Sequence, residues 1–143
     1  MCGRYELTTP LELFPSQLKK TLPGGFEEHY ARQPLISPND PVLVLRAHNG
    51  RISSDLMLWG LISEWTKDPI NAPRPFNARA ETVSTKPMFR AAWRHRRCLL
   101  PASGFFEKNF LVRRRDSEIF WLAGIWNSWL GADGSEIESC CVL

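Results

Sequence analysis

Nowhere in the 143 residues is there an apolar run of the twenty or so residues that a membrane-crossing helix needs. The opening segment, Met1-Cys2-Gly3-Arg4-Tyr5-Glu6, has no basic stretch followed by an apolar one, as a secretory leader would. The expected location is therefore the cytoplasm, on the nucleoid in a bacterium. Cysteine is scarce: four residues, at positions 2, 98, 140 and 141, with no Cys-x-x-Cys pair and only His95 close to one of them. Zinc ligands come at tighter and more regular spacings, so no metal and no cofactor are expected, and in a reducing compartment the thiols are free. Repeats, low-complexity stretches and dividing linkers are all missing, so residues 1–143 read as one domain.

Strong charge of one sign is missing too. The net charge is +3, with 43% hydrophobic and 23% charged residues, the balance of a globular domain. The distribution is more informative than the sum. Arg90, Arg94, Arg96 and Arg97 fall close together, and Arg113, Arg114 and Arg115 form a second run. Such clusters fit phosphates, or equally a solvated helix face and strand edge.

What is present reads as a mostly-β, α+β domain with a curved or barrel-like sheet and a few short helices. Leu11, Phe14 and Leu18 share a helical face, which predicts a helix within 11–22 beginning near Pro15. Pro34, Pro38 and Pro41 mark a loop before a strand at 42–46. Asn49-Gly50 then predicts a hairpin into a second strand at 56–59. Residues 76–80 read as extended, 86–94 as a short helix, and 98–102 as a buried strand continuing through Gly104 to Glu107. Further strands are expected at 110–114, 119–126 and 137–143. The last of these ends on Cys140-Cys141-Val142-Leu143 with no turn or polar tail. An apolar strand needs a partner for its edge, so the chain reads as interrupted there.

Cys98, Cys140 and Cys141 lie in apolar stretches and read as buried filler. Cys2 differs by its position. Removal of Met1 would leave an α-amine and a thiol on adjacent carbons, with reference pKa values of about 7.7–8.0 and about 8.5. Such a 1,2-aminothiol condenses with an aldehyde to a Schiff base, which the sulfur closes into a thiazolidine. An interior cysteine cannot do this, because its nitrogen is held in a peptide bond. An inert second residue is the plainer reading of that position alone.

Three further segments stand beside Met1-Cys2-Gly3-Arg4-Tyr5. They are Trp59-Gly60-Leu61-Ile62-Ser63-Glu64-Trp65, Asn77-Ala78-Arg79-Ala80-Glu81-Thr82, and Arg97-Cys98-Leu99-Leu100-Pro101-Ala102-Ser103-Gly104-Phe105-Phe106-Glu107. In order and near-spacing these four resemble the SRAP family, the SOS response-associated peptidases also known as abasic-site shields. The resemblance runs from residue 1 to residue 143 and corresponds to the N-terminal two-thirds of the family domain.

It implies a protein that binds single-stranded DNA and crosslinks abasic sites through Cys2. Asn77 would hold the cysteine's amino end, and Glu107 would move protons during sugar opening and ring closure. Arg4 and Arg79 would grip the DNA backbone, and Trp65 would stack on a base. Lys86 and Arg90 on the basic helix are counted with the DNA contacts. The expected partner is single-stranded DNA containing abasic sites, with no membrane and no metal, bound by a monomer. The alternatives are a peptidase acting mainly on its own N-terminus and a non-catalytic single-stranded DNA binder.

The residue chemistry adds expectations of its own. Two phenylalanines before Glu107 should desolvate it and raise its pKa. Asn77 and Arg79, two apart, should share one face of a strand. The sequence departs from the family pattern in three places. Tyr30 is followed by Ala31 rather than asparagine, and Lys108-Asn109 leads almost directly into Phe110-Leu111-Val112 where a polar loop is usual. The third is the family's His-x-Arg-(Met or Arg)-Pro segment, which does not occur, and His29, His48 and His95 do not match its histidine.

Overall fold

Strands form where β-branched, aromatic and leucine residues recur between turn formers, and the turns fix how they pair. The computed structural model describes residues 2–143. Strand β1 (Tyr5–Leu7) leads into a 3₁₀ turn at Leu11–Leu13 and helix α1 (Ser16–Lys19). The helix predicted within 11–22 is thus two separate pieces. Phe14 is extended, at ψ 141°, because the ring of Pro15 disfavours helical backbone in the residue before it. Phe14 and Leu18 are nevertheless both buried, as their spacing requires.

Helix α2 (Phe26–His29) and strand β2 (Gln33–Ile36) follow, and each is too short to show a period in sequence. Pro34 lies in β2, which is tolerated because β2 is an edge strand. Strands β3 (Pro41–His48) and β4 (Arg51–Trp59) form the expected hairpin, longer at its turn end than predicted. Its turn residues Asn49 and Gly50 sit at φ 51° and 74°, the left-handed pair that a two-residue hairpin needs.

Residues 60–89 are turns and bends that deliver the chain into α3 (Arg90–His95), which starts later than expected. Strands β5 (Arg97–Ala102), β6 (Gly104–Glu107), β7 (Phe110–Val112), β8 (Phe120–Leu130) and β9 (Glu136–Val142) complete the chain. Five strands close a barrel in the order β3-β4-β9-β8-β5, and four form a second sheet, β2-β1-β6-β7. Ser103 is the corner between the two sheets, its N–H donating to the Glu6 carbonyl at 2.9 Å.

The final apolar strand is not an open edge. β9 lies inside the barrel, parallel to β4 and antiparallel to β8. Its Cys140, Cys141 and Val142 are buried, as is Cys98 on β5. The barrel interior and the second sheet share one core around Trp59, Tyr5, Met57, Leu100 and Cys140. A smaller core of Leu61, Val83, Phe89, Ile125 and Cys141 lies under the 60–95 segment.

Gly124 pairs with Cys98 on one side and Val142 on the other. A Cβ there would lie 2.8 Å from the Cys141 carbonyl oxygen, 2.9 Å from Leu100 Cδ1 and 3.1 Å from Cys98 Sγ. The nearest of these atoms is backbone and cannot rotate away. Gly124→Ala is therefore expected to cost about 1–3 kcal/mol of stability, the usual range for overpacking. Urea unfolding reads this as a lower midpoint. An unchanged midpoint would mean that β8 and β9 separate locally at little cost.

Candidate active site and nucleic-acid interface

The site is built from the first turn of chain outward. Cys2 is half-buried against the main core, and its thiol donates to the Arg4 carbonyl at 3.4 Å. The same carbonyl accepts the Phe106 N–H at 3.0 Å, which joins the start of β1 to β6. Tyr5 pairs with Phe105 in this antiparallel ladder, and Glu107, two residues further along β6, lies close enough to Cys2 for its charge to act on the thiol. Burial pushes the Cys2 thiol above its usual pKa, the Arg4 hydrogen bond opposes this, and the Glu107 carboxylate pushes it further up.

A second wall comes from residues 76–78. The Phe76 carbonyl accepts both the Val142 N–H and the Trp59 indole N–H, each at 2.9 Å. Ala78 returns a bond to the Val142 carbonyl at 2.8 Å. Trp59 is wholly buried and packs edge-on against Tyr5 and Phe76, with ring centres 5.3 and 6.0 Å apart. The position a Cβ would take on Gly3 lies 3.8 Å from Phe76. Cys2-Gly3, Phe76 and Glu107 thus come together from three distant segments, with Asn77 next in the chain to Phe76.

Trp59 and Phe76 hold the second wall and were not singled out from sequence. The Trp-Gly turn was visible, but nothing in it shows which carbonyl the indole would find.

Two expectations about these residues fail. Glu107 is exposed at the end of β6, so its phenylalanine neighbours do not desolvate it. Phe105 packs against the core while Phe106 lies under Arg4, and neither covers the carboxylate. Asn77 and Arg79 do not share a strand face either. Asn77 makes one isolated bridge to Val142, whereas the Arg79 carbonyl already opens a turn by accepting the N–H groups of Thr82 and Val83.

The expected DNA contacts divide into two groups. Arg79, Lys86, Arg90 and Arg94 are exposed, and the Arg90 N–H bonds the Lys86 carbonyl at 2.9 Å. This helical spacing puts Lys86, Arg90 and Arg94 on one face. Trp65 is 65% exposed and presented by anchors on both sides. Before it, Glu64 pairs with Arg96 at 2.5 Å; after it, the Thr66 carbonyl accepts the Trp129 indole N–H at 2.6 Å. Asn127 completes the anchor by bonding both Arg96 and the Ile62 carbonyl, and sequence reading did not identify it. The Arg96 pair brings Trp65 to the end of the basic helix.

Arg4 is exposed but engaged, with its guanidinium 5.4 Å from the Phe106 ring centre and a bond to the Lys108 carbonyl at 3.3 Å. The second arginine run is largely committed to carboxylates. Arg113 is paired with the buried Glu6 at 2.6 Å, and Arg114 with Asp116 at 2.5 Å. The two-residue turn Lys108-Asn109 closes β6 onto β7 where the family pattern has a loop. Among the described residues no group of three His, Cys, Asp or Glu side chains could hold a metal ion. No described helix is long and apolar enough to cross a membrane. Met1, whose removal the Cys2 chemistry requires, lies outside the described residues.

The model of the family described as SOS response associated peptidase (SRAP) matches residues 1–143. Abasic site processing protein YoqW of Bacillus subtilis is 30% identical over 154 aligned residues, covering all of this chain and 67% of that protein. Abasic site processing protein YedK of Escherichia coli is 27% identical, over 87% of this chain and 59% of its own length. The fold matches a crystal structure of a protein from Bacteroides thetaiotaomicron with a TM-score of 0.74 at 22% identity. That match covers 98% of this chain and 66% of the other. The chain spans about two-thirds of the length of these relatives.

The thiols give a test of the site's electrostatics. In native protein, iodoacetamide should label Cys2 first, at a rate still climbing above pH 9 because its pKa is raised. Cys98, Cys140 and Cys141 should label only on unfolding. Burial raises all three buried thiols, Cys141 to about 12. Each favours folding while both states hold the proton, and this contribution is lost as pH rises past the unfolded value of about 8.5 towards the folded one. Stability should therefore fall by about 2 kcal/mol per thiol by pH 10, read from urea midpoints. A flat profile to that pH would mean that the thiols are hydrated in the folded state.

Proposed function

The chain belongs to the SOS response associated peptidase (SRAP) family, and from that premise we propose that it processes abasic sites in single-stranded DNA by covalent capture on Cys2. The observation that carries this reading is the convergence of Cys2, Glu107 and Phe76, the chain neighbour of Asn77, near the start of β1. A ring-opened abasic sugar carries an aldehyde, and a 1,2-aminothiol is the nucleophile suited to it. Cutting the Met1–Cys2 bond supplies the amine, so an autopeptidase step prepares the capture step rather than competing with it.

The atoms balance without an oxidant or reductant. The Cys2 amine adds to the aldehyde carbon, and loss of one water leaves an imine. The sulfur then adds to the imine carbon, its proton passes to the nitrogen, and a thiazolidine closes. Attack by the amine comes first, because the sulfur closes the ring on the imine carbon that this attack creates. Glu107 takes the proton from the attacking amine and returns it to the departing hydroxyl. Asn77 orients the amine through its amide without titrating. Trp65 stacks on a base, worth about 1–3 kcal/mol, while Arg79, Lys86, Arg90 and Arg4 face the phosphates. The protein acts as a monomer in the cytoplasm, with no metal or cofactor in these steps.

Incubation with an abasic oligonucleotide followed by denaturing electrophoresis tests the chemistry. The parent should give a denaturant-resistant adduct, and Cys2→Ser should abolish it, because oxygen closes the ring poorly. Glu107→Gln should slow adduct formation about a hundredfold while leaving DNA affinity nearly unchanged. Crosslinking by Cys2→Ser at the parent rate would refute thiazolidine capture, and an unimpaired Glu107→Gln would remove Glu107 from proton transfer.

Binding to intact single strands tests the interface separately. Affinity should fall with salt at a slope of about −0.7 per phosphate neutralised, and Arg79→Ala should flatten that slope by about one such step. Salt-independent binding, or equal affinity for duplex, would count against the basic face.

A further inference from the structure

The tip of the β6–β7 hairpin carries an aromatic that neither the core nor the capture chemistry uses. Phe110 is 73% exposed, on the outermost strand of its sheet. It pairs directly with Glu107 across the Lys108-Asn109 turn. Residues directly opposite in an antiparallel pair project from the same face, with Cβ atoms about 4.5–5.5 Å apart. Glu107 in turn lies close enough to Cys2 for its charge to act on the thiol, just beyond the bond between the Phe106 N–H and the Arg4 carbonyl. The sheet end therefore presents Phe110 beside Glu107, on the side where the Arg4 carbonyl links Cys2 to β6.

The tip is anchored and positively charged. The Arg4 side chain donates to the Lys108 carbonyl and lies over the Phe106 ring, while Lys108 itself is exposed. An open phenyl face beside two cations has the composition of a platform for a nucleobase on a phosphate backbone. DNA at an abasic site has a matching deficiency, since the base next to the gap has lost its stacking partner on one side.

We propose that Phe110 stacks on the nucleobase adjoining the abasic sugar, filling the place of the missing base and so favouring abasic over intact strands. The assignment rests on the abasic-site reading above. Its geometry is independent of Trp65, which is presented from the 60–75 segment by Glu64 and Thr66.

The test uses the full chain and a single strand carrying a tetrahydrofuran abasic analogue, which lacks the aldehyde and cannot be captured covalently. A 2-aminopurine placed beside the analogue reports stacking by quenching of its fluorescence. The parent should quench it on binding, and Phe110→Trp should do the same. Phe110→Ala should abolish the quenching and weaken binding about tenfold, and Phe110→Leu should behave like alanine because it keeps bulk without a π face. Removing the neighbouring base from the strand should cost the parent the same factor and cost Phe110→Ala nothing more.

Equal affinity of parent and Phe110→Ala, or independent losses from the side-chain and base deletions, would overturn the assignment. So would a parent dimer that Phe110→Ala dissociates in sedimentation, since the ring would then be a self-contact. Lack of an adduct on true abasic DNA would refute the capture chemistry alone, because the analogue strand still judges Phe110. Failure of the parent to bind the analogue strand would overturn both.

Discussion

The two-sided hydrogen bonding of β9 is the constraint on which the remaining structure depends. Cys140 accepts from Gly60 N–H at 2.8 Å, and Val142 both donates to Phe76 and accepts from Ala78. On its other edge the strand runs along β8 from Leu130 to Gly124. One buried strand therefore closes the barrel and also holds residues 76–78 against the wall where Asn77 sits. A buried backbone group left unpaired is costly, so these bonds are obligatory once the strand is inside. It also seals Cys140 and Cys141, both on this strand, in the interior.

The front of the site is organised by a shorter ladder. The Arg4 carbonyl is shared by the Cys2 thiol and the Phe106 N–H, which couples the position of Cys2 to the strand bearing Glu107. The Arg4 side chain grips the hairpin beyond that strand, so a single residue joins three parts of the site. Glu107 stays open to solvent, which suits the proton exchange proposed for it. Cys2 is partly desolvated beside it, and that combination favours a neutral thiol.

Cations on this surface differ in what they are free to do. Arg46 lies over Trp126 and is held by Asp55 and Glu138 at the barrel end, Arg96 by Glu64 and Asn127, and Arg113 by the buried Glu6. These pairs hold segments together: Arg113 fixes the strand edge beyond β7 to β1, and Arg96 fixes the Trp65 loop to α3. A run of arginines in sequence therefore overstates the charge available to a polyanion. The exposed row of Lys86, Arg90 and Arg94 owes its availability to a helical face directed away from the core.

The sequence alone determined the mostly-β class, the Asn49-Gly50 hairpin, the buried character of Cys98, Cys140 and Cys141, and the residue types able to do aldehyde chemistry. Each of these is encoded within a few neighbouring residues, as a turn preference, a run of apolar side chains or a thiol next to the first methionine. The break at Pro15 was half-legible, since the proline was visible but its effect on Phe14 depended on how the core took both Phe14 and Leu18. Tertiary structure alone decided that β9 is an inner strand, that Arg113 is committed to Glu6, and that Glu107 is exposed although two phenylalanines precede it. It also decided that Cys2, Phe76 and Glu107 come from distant segments to one end of the sheet. Those outcomes depend on strand order and register, which are fixed by contacts between residues tens of positions apart and leave no local periodicity to read.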